Sequence, residues 1–162
     1  MTPVLVVENL ETQFASSAGL VRAVDGVSFS VDRGEILGIV GESGSGKSIT
    51  GFSILGLIEP PGRVAGGRIL FQGEDLVGLP TERLRRLRGK KIAMIFQDPM
   101  MTLNPVLSIE TQMVEAVLAH DTVSREEARV RSRDALGLVG IPSPEERLKA
   151  YPHPFSGGMR QR

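Results

Sequence analysis

The residues most able to do chemistry lie together in Gly41-Glu42-Ser43-Gly44-Ser45-Gly46-Lys47-Ser48. They read G-x-x-x-x-G-K-S, the pattern of a loop that cradles phosphate groups. Gly41, Gly44 and Gly46 let the backbone curl so that successive N–H groups face inward as an anion nest. A helix starting at the loop adds its positive N-terminal end. Lys47 supplies a flexible cation able to reach β- and γ-phosphates. The Ser48 hydroxyl can ligate a Mg²⁺ that bridges them. The plainer reading of the same residues is a glycine-rich turn that joins a strand to a helix, so the flanking elements decide.

Those flanks fit a phosphate loop. Glu35-Ile36-Leu37-Gly38-Ile39-Val40 is a short apolar run with β-branched residues, which predicts a buried parallel strand. Residues 49–58, starting at Ile49, are apolar and free of proline, which predicts a helix of about three turns.

The whole chain sets the bounds. Its 162 residues suffice for one domain with a sizeable core. Apolar content of 41% and charged content of 23% are those of an ordinary globular protein. Zero net charge argues against a protein built to hold nucleic acid. The lack of cysteine excludes disulfides and thiolate metal sites. The start, Met1-Thr2-Pro3-Val4, lacks a signal-peptide layout. No apolar run approaches the roughly 20 residues that span a bilayer. The expected compartment is the cytosol, or a membrane's cytosolic face reached through a partner.

Taken in order, residues 4–10 read as a strand that Thr12-Gln13-Phe14 extends. Residues 21–31 alternate in part, with Val27, Phe29 and Val31 against Ser28, Ser30 and Asp32, and predict a half-buried strand. The opening third is expected to form an antiparallel layer leading into a parallel core. Phe14 has two readings: a core or edge-strand aromatic, favoured on sequence alone, or a stacking platform for adenine. Residues 66–73 predict a short strand. Leu79-Pro80-Thr81 opens a predicted helix through about Leu87 that carries Arg83, Arg85, Arg86 and Arg88, with Lys90 and Lys91 just beyond, and a solvated basic face is favoured over a nucleic-acid groove. Ile92-Ala93-Met94-Ile95-Phe96 predicts a second buried strand. Gln97 and Asp98 follow at its carboxyl end, where ligands of open α/β sheets sit. Gln97 could touch Mg²⁺ or orient a water, or be loop polarity only. From Ile109 onward the pattern is helical, over residues 109–120, 124–139 and 143–150, with capping boxes at Ser124 and Ser143. His120 and His153 have no partners at ligand spacing and read as surface residues. The tail, Pro152-His153-Pro154-Phe155-Ser156-Gly157-Gly158-Met159-Arg160-Gln161-Arg162, offers a second glycine-lined phosphate contact at Ser156-Gly157-Gly158.

Jointly, these pieces resemble the nucleotide-binding subunit of ABC transporters, and within that family the peptide and nickel (oligopeptide and dipeptide) importers. The resemblance spans the chain. It is carried by Val24-Asp25-Gly26-Val27-Ser28-Phe29, the loop at 41–48, Ile95-Phe96-Gln97-Asp98-Pro99-Met100, Leu103-Asn104-Pro105 and Ser156-Gly157-Gly158-Met159-Arg160-Gln161-Arg162. Met159 and the Asp-Pro-Met…Leu-Asn-Pro run point to the peptide-importer branch. Phe155, where leucine is usual, and Pro154, where a polar residue is usual, depart from the pattern.

The resemblance implies an α/β fold: a P-loop NTPase core of the ABC ATPase kind with an antiparallel β layer and a helical subdomain, stopping before the Walker B strand. The implied division is 1–96 for the layer and core and 97–162 for the glutamine loop and helical subdomain. Implied cofactors are ATP and Mg²⁺. The implied nucleotide set is Phe14 stacking on adenine, then Gly41, Glu42, Ser43, Gly44, Ser45, Gly46, Lys47, Ser48 and Ile49, with Ser156, Gly157 and Gly158 contacting the ATP held by a partner subunit. Ser48 and Gln97 would meet the metal; Gln97 and Lys47 would serve catalysis. Implied partners are membrane permease subunits, a second ATP-binding subunit in a head-to-tail dimer and, indirectly, a periplasmic or extracellular solute-binding protein, with no nucleic acid. Met100 or Met101 is expected either to touch the permease or to anchor a buried loop. The implied location is peripheral, on the cytoplasmic face of the cell membrane. The family's apolar strand ending in Asp-Glu is not found in these residues, so weak ATP binding, negligible hydrolysis, an open sheet edge and a tendency to aggregate are expected. A non-catalytic nucleotide-binding fragment or regulatory partner is the alternative. Another P-loop enzyme or a DNA-repair ABC ATPase fits the motifs less well.

Overall fold

A computed structural model describes residues 3–17, 19–96 and 103–162. The chain divides into two compact units, residues 1–93 and 94–162.

The first unit is built on a four-stranded antiparallel sheet in the order β2-β1-β3-β4, formed by β1 (Leu5–Ser16), β2 (Gly19–Val31), β3 (Gly62–Phe71) and β4 (Glu74–Asp75). β1 pairs on both sides, and a register shift at Asn9 (φ 47°) brings Val7 and Leu10, three residues apart, into one buried cluster with Val24 and Ile69. Its register sets Val7 against Phe29 on one side and Ile69 on the other. Two helices cover this cluster: α1 (Lys47–Ile54) contributes Ile49 and Ile54, and α2 (Thr81–Leu87) contributes Leu84 and Leu87. A buried hydrogen bond of 2.7 Å ties sheet to helix between Thr12 Oγ1 and Ser53 Oγ. Ser53 spends its only hydrogen on Ile49 O at 2.7 Å, so Thr12 is the donor.

The antiparallel layer agrees with the sequence; the parallel core does not. The predicted strand at 35–40 forms no ladder, and Ile36 and Val40 stand 96% and 93% exposed. The predicted strand at 92–96 is likewise irregular, with Ile95 89% exposed, and the single parallel pairing among the described residues is the isolated bridge Arg88–Ile92. The reason is physical. A strand buried on both faces is held by neighbours in its own sheet, and among the described residues neither segment has one. The helix after the loop is also shorter than predicted, ending at Ile54, because Gly56 at φ 62° turns the chain there.

The second unit is helical: α3 (Ile109–Leu118), α4 (Arg125–Leu138), α5 (Pro144–Lys149) and α6 (Gly157–Gln161). Ile109, Leu136, Ile141, Leu148 and Phe155 form its core. Arg129 on α4 joins three helices by pairing with Glu110 of α3 at 3.3 Å and with Glu145 of α5. Ser124 caps α4 as predicted, its Oγ accepting from Glu127 N–H at 3.1 Å. The matching prediction at Ser143 fails. That residue sits in the left-handed region (φ 50°, ψ 58°) and makes no side-chain cap bond.

Candidate functional site

The loop at 41–46 leads straight into α1, and the packing explains why the chain folds that way. Gly46 has φ 89°, and a Cβ added there would lie 2.3 Å from the carbonyl oxygen of Ala23 on β2. Only glycine fits both the torsion and the approach. The loop's end is thereby pressed onto the sheet, and Ile49, one turn into α1, packs into the core beneath it. Thr50 closes the turn through its Oγ1, which donates to Gly46 O at 3.0 Å.

The helix begins without a side-chain cap. Its first N–H groups therefore have no acceptor within the helix. Lys47 folds back over the loop, and its Nζ donates to Gly41 O at 2.8 Å, Glu42 O at 2.7 Å and Ser45 Oγ at 3.2 Å. Ser48 is exposed on the same turn. Uncapped donors, a helix N-terminus, an ammonium and a free hydroxyl together form an anion site with one oxygen ligand for a hard cation. These residues fit a nucleotide phosphate chain and Mg²⁺. A cavity of about 420 Å³, lined by Val27, Phe29, Leu37, Ile39, Ser45 and Lys47 among others, opens beside the loop.

Phe14 is half-buried and lies opposite Val21 and Gly62 in the sheet. A Cβ on Gly62 would come within 2.4 Å of its ring, so only glycine admits the ring this close to the strand. Gln97, Asp98, Met100 and Met101 fall outside the described residues. The Leu103-Asn104-Pro105 run that follows is held by α3. Gln112 donates from Nε2 to Asn104 O and accepts from Asn104 N–H, at 3.0 and 2.8 Å.

Ser156, Gly157 and Gly158 lie in the second unit. Ser156 caps α6, its Oγ accepting from Met159 N–H at 3.3 Å. Neither this cap nor the helix it starts was foreseen, because two glycines at a helix start are poor helix formers. The loop before it is pinned by Arg160, which donates to Pro152 O and His153 O, each at 3.0 Å. Phe155 is buried in the core beneath it, and the Arg147 guanidinium lies 5.7 Å from its ring centre. The leucine-to-phenylalanine departure is therefore accommodated.

The basic run is for the most part the solvated face expected, with Arg83, Arg85, Arg86, Lys90 and Lys91 exposed and Arg88 the exception. Arg83 forks onto Glu74 at 3.0 and 2.9 Å, and that hydrogen bond holds the Glu74 carboxyl below its ordinary value. Arg88 turns inward to the backbone at the end of α1. Among the described residues no cluster of His, Cys, Asp and Glu could hold a metal by itself, and no helix is long and apolar enough to cross a membrane.

The sequence model described as ABC transporter matches residues 24–162. Across the whole chain there is 53% identity with the dipeptide transport ATP-binding protein DppD of Bacillus subtilis (strain 168), covering 49% of that protein. Identity with the oligopeptide transport ATP-binding protein OppD of the same organism is 50%, covering 46% of it. The Escherichia coli (strain K12) DppD is 47% identical over 98% of this chain and 48% of its own. The chain thus spans about half the length of the curated relatives it matches. Among solved structures, the dimeric structure of MJ0796, a bacterial ABC transporter cassette, aligns with a TM-score of 0.80 over 96% of this chain and 65% of that one, at 23% identity. An ATP-binding subunit of an ABC transporter aligns with a TM-score of 0.70 at 30% identity, over 98% of this chain and 58% of the other.

Proposed function

The chain belongs to the ABC transporter family, and from that premise we propose that it is the nucleotide-binding part of an importer ATPase coupling ATP binding and hydrolysis to uptake of peptides or a related small solute. The observation that carries the reading is the uncapped start of α1 behind a glycine loop pressed on Ala23, with Lys47 and Ser48 on its first turn. In the reading, the N–H groups of residues 41–49 hold the phosphate chain. Lys47 leaves the carbonyls of Gly41 and Glu42 and pairs with the β- and γ-phosphates. Ser48 holds Mg²⁺, which when bound neutralises charge shared by those phosphates. Phe14 supports the adenine ring, and Gln97 contributes the metal and water contact.

Ser156, Gly157 and Gly158 are assigned to the nucleotide of a second subunit in a head-to-tail dimer. The likeness to a dimeric cassette supports the assignment. Permease subunits are the membrane partners, with Met100 or Met101 meeting them, and a solute-binding protein acts upstream. The protein would sit peripherally on the cytoplasmic face of the membrane.

Mg-ATP titration calorimetry on the full chain, beside Lys47→Ala, tests the reading. Binding in the parent that falls by more than about tenfold in the variant supports it. Equal binding by both, or none by either, sinks it. For these 162 residues the proposal is binding without appreciable turnover, because they supply no acidic pair ending an apolar strand. Robust Lys47-dependent hydrolysis by the purified chain would overturn that part.

A further inference from the structure

The nucleotide reading accounts for the start of α1; its far end holds a different contact. There the helix closes in a Schellman arrangement, with Gly56 N–H donating to Ser53 O at 3.0 Å and Leu57 N–H to Phe52 O at 2.8 Å. The carbonyls of Leu55 and Gly56 remain, at the negative end of the helix dipole. Arg88 takes both. Its Nε donates to Leu55 O at 2.7 Å and its Nη2 to Gly56 O at 2.6 Å. The backbone of Gly56 comes close to α2, so close that a Cβ there would meet Leu84 Cδ1 at 2.9 Å.

The main chain around Arg88 is engaged as well: Arg88 N–H donates to Leu84 O at 2.9 Å, and its two neighbours hold Ile92. Arg88 forms the parallel bridge with Ile92. Gly89 N–H donates to Ile92 O at 2.9 Å, and Ile92 N–H donates to Leu87 O at 3.1 Å. Arg88 therefore grips the end of the phosphate-loop helix with its side chain, while the residues on either side of it, Leu87 and Gly89, hold Ile92 at the root of the segment running to Gln97.

We propose that Arg88 is a positioning residue for the nucleotide site, fixing the P-loop helix to the root of the glutamine segment; the inference rests on the reading of residues 41–48 as that site. The guanidinium fork makes two charge-assisted hydrogen bonds, which set both the axial position and the roll of α1. With Gly46 pressed on Ala23 at one end and Arg88 clamped at the other, a short rigid helix carries a displacement at its first turn to Leu55 and Gly56. Arg88 then hands it to residues 89–92. Lysine at this place would keep the charge and lose the fork.

The test uses the full chain with Arg88→Ala and Arg88→Lys, beside Lys47→Ala. Mg-ATP affinity is measured by calorimetry well below each variant's unfolding midpoint. Amide hydrogen exchange is followed without nucleotide at Gly56, Leu57, Gly89 and Ile92. In Arg88→Ala, affinity should fall on the order of threefold to tenfold, with protection lost at all those amides. Arg88→Lys should fall between. A lower unfolding midpoint with unchanged affinity means a merely structural role and overturns the proposal. So does protection kept at Gly89 and Ile92 while Gly56 and Leu57 lose theirs. If the parent and Lys47→Ala bind ATP alike, the nucleotide reading fails. The exchange result then decides the clamp by itself: loss at both segments upholds it, and retention at Gly89 and Ile92 removes it.

Discussion

Gly46 shows how a single residue can be placed by contacts far away in sequence. Its φ of 89° is costly for any side chain, and the Ala23 carbonyl occupies the space a Cβ would need. Gly46→Ala must therefore push the loop off β2 as well as strain the backbone. The expected outcome is a loss of about 1–3 kcal/mol of stability and abolished Mg-ATP binding, with far-UV circular dichroism unchanged. Thermal melts and calorimetry check both. The loop itself was readable from residue types, because nest, ammonium and hydroxyl are local properties. The carbonyl of Ala23 was not, since the approach of a distant strand leaves no mark in the loop's own pattern. The same holds for Arg88. Arg83, Arg85, Arg86 and Arg88 look alike in the chain, and only the position of Leu55 O and Gly56 O distinguishes the last of them.

At the scale of elements, Ser124 and Ser143 make a natural pair. Each precedes a helix and is followed by two glutamates within three residues, and each reads as a cap. Ser124 adopts extended torsions (φ −68°, ψ 156°) and bonds to Glu127 N–H. Ser143, between Pro142 and Pro144, is left-handed (φ 50°, ψ 58°) and makes no side-chain cap bond. Ser124→Ala is expected to cost about 1 kcal/mol. Ser143→Ala should be close to neutral, and Ser143→Gly should stabilise by about 0.5–1 kcal/mol by relieving the torsion. Urea unfolding curves of the three variants measure this. The helices α2 to α5 were foreseen to within two residues at each end, because periodicity and caps are local signals, whereas α6 was not foreseen. The errors arose at Ser143, whose left-handed backbone the pattern did not show, and at residues 55–58, where Gly56 turns the chain.

Across the whole molecule, the parts readable in advance were those that settle their own burial. The antiparallel layer shows partial alternation over residues 21–31, and the helical unit carries apolar stripes. The segments at 35–40 and 92–96 were read correctly as apolar and wrongly as buried, because burial of a parallel strand is supplied by other strands. Ile36, Val40 and Ile95 consequently face water, on a chain whose formal net charge is zero at pH 7, with no overall repulsion to keep copies apart. Association driven by that exposure has a definite temperature dependence. Attraction between apolar patches weakens on cooling and grows on warming. A solution that scatters light at roughly 35 °C, below unfolding, should clear again at roughly 5 °C, and Ile36→Ser with Val40→Ser should flatten the cycle. Scattering that is insensitive to temperature, or unchanged in the double variant, would place the cause elsewhere. Cooling should therefore return these 162 residues to free solution and warming should bring them together again, a cycle set by two short stretches.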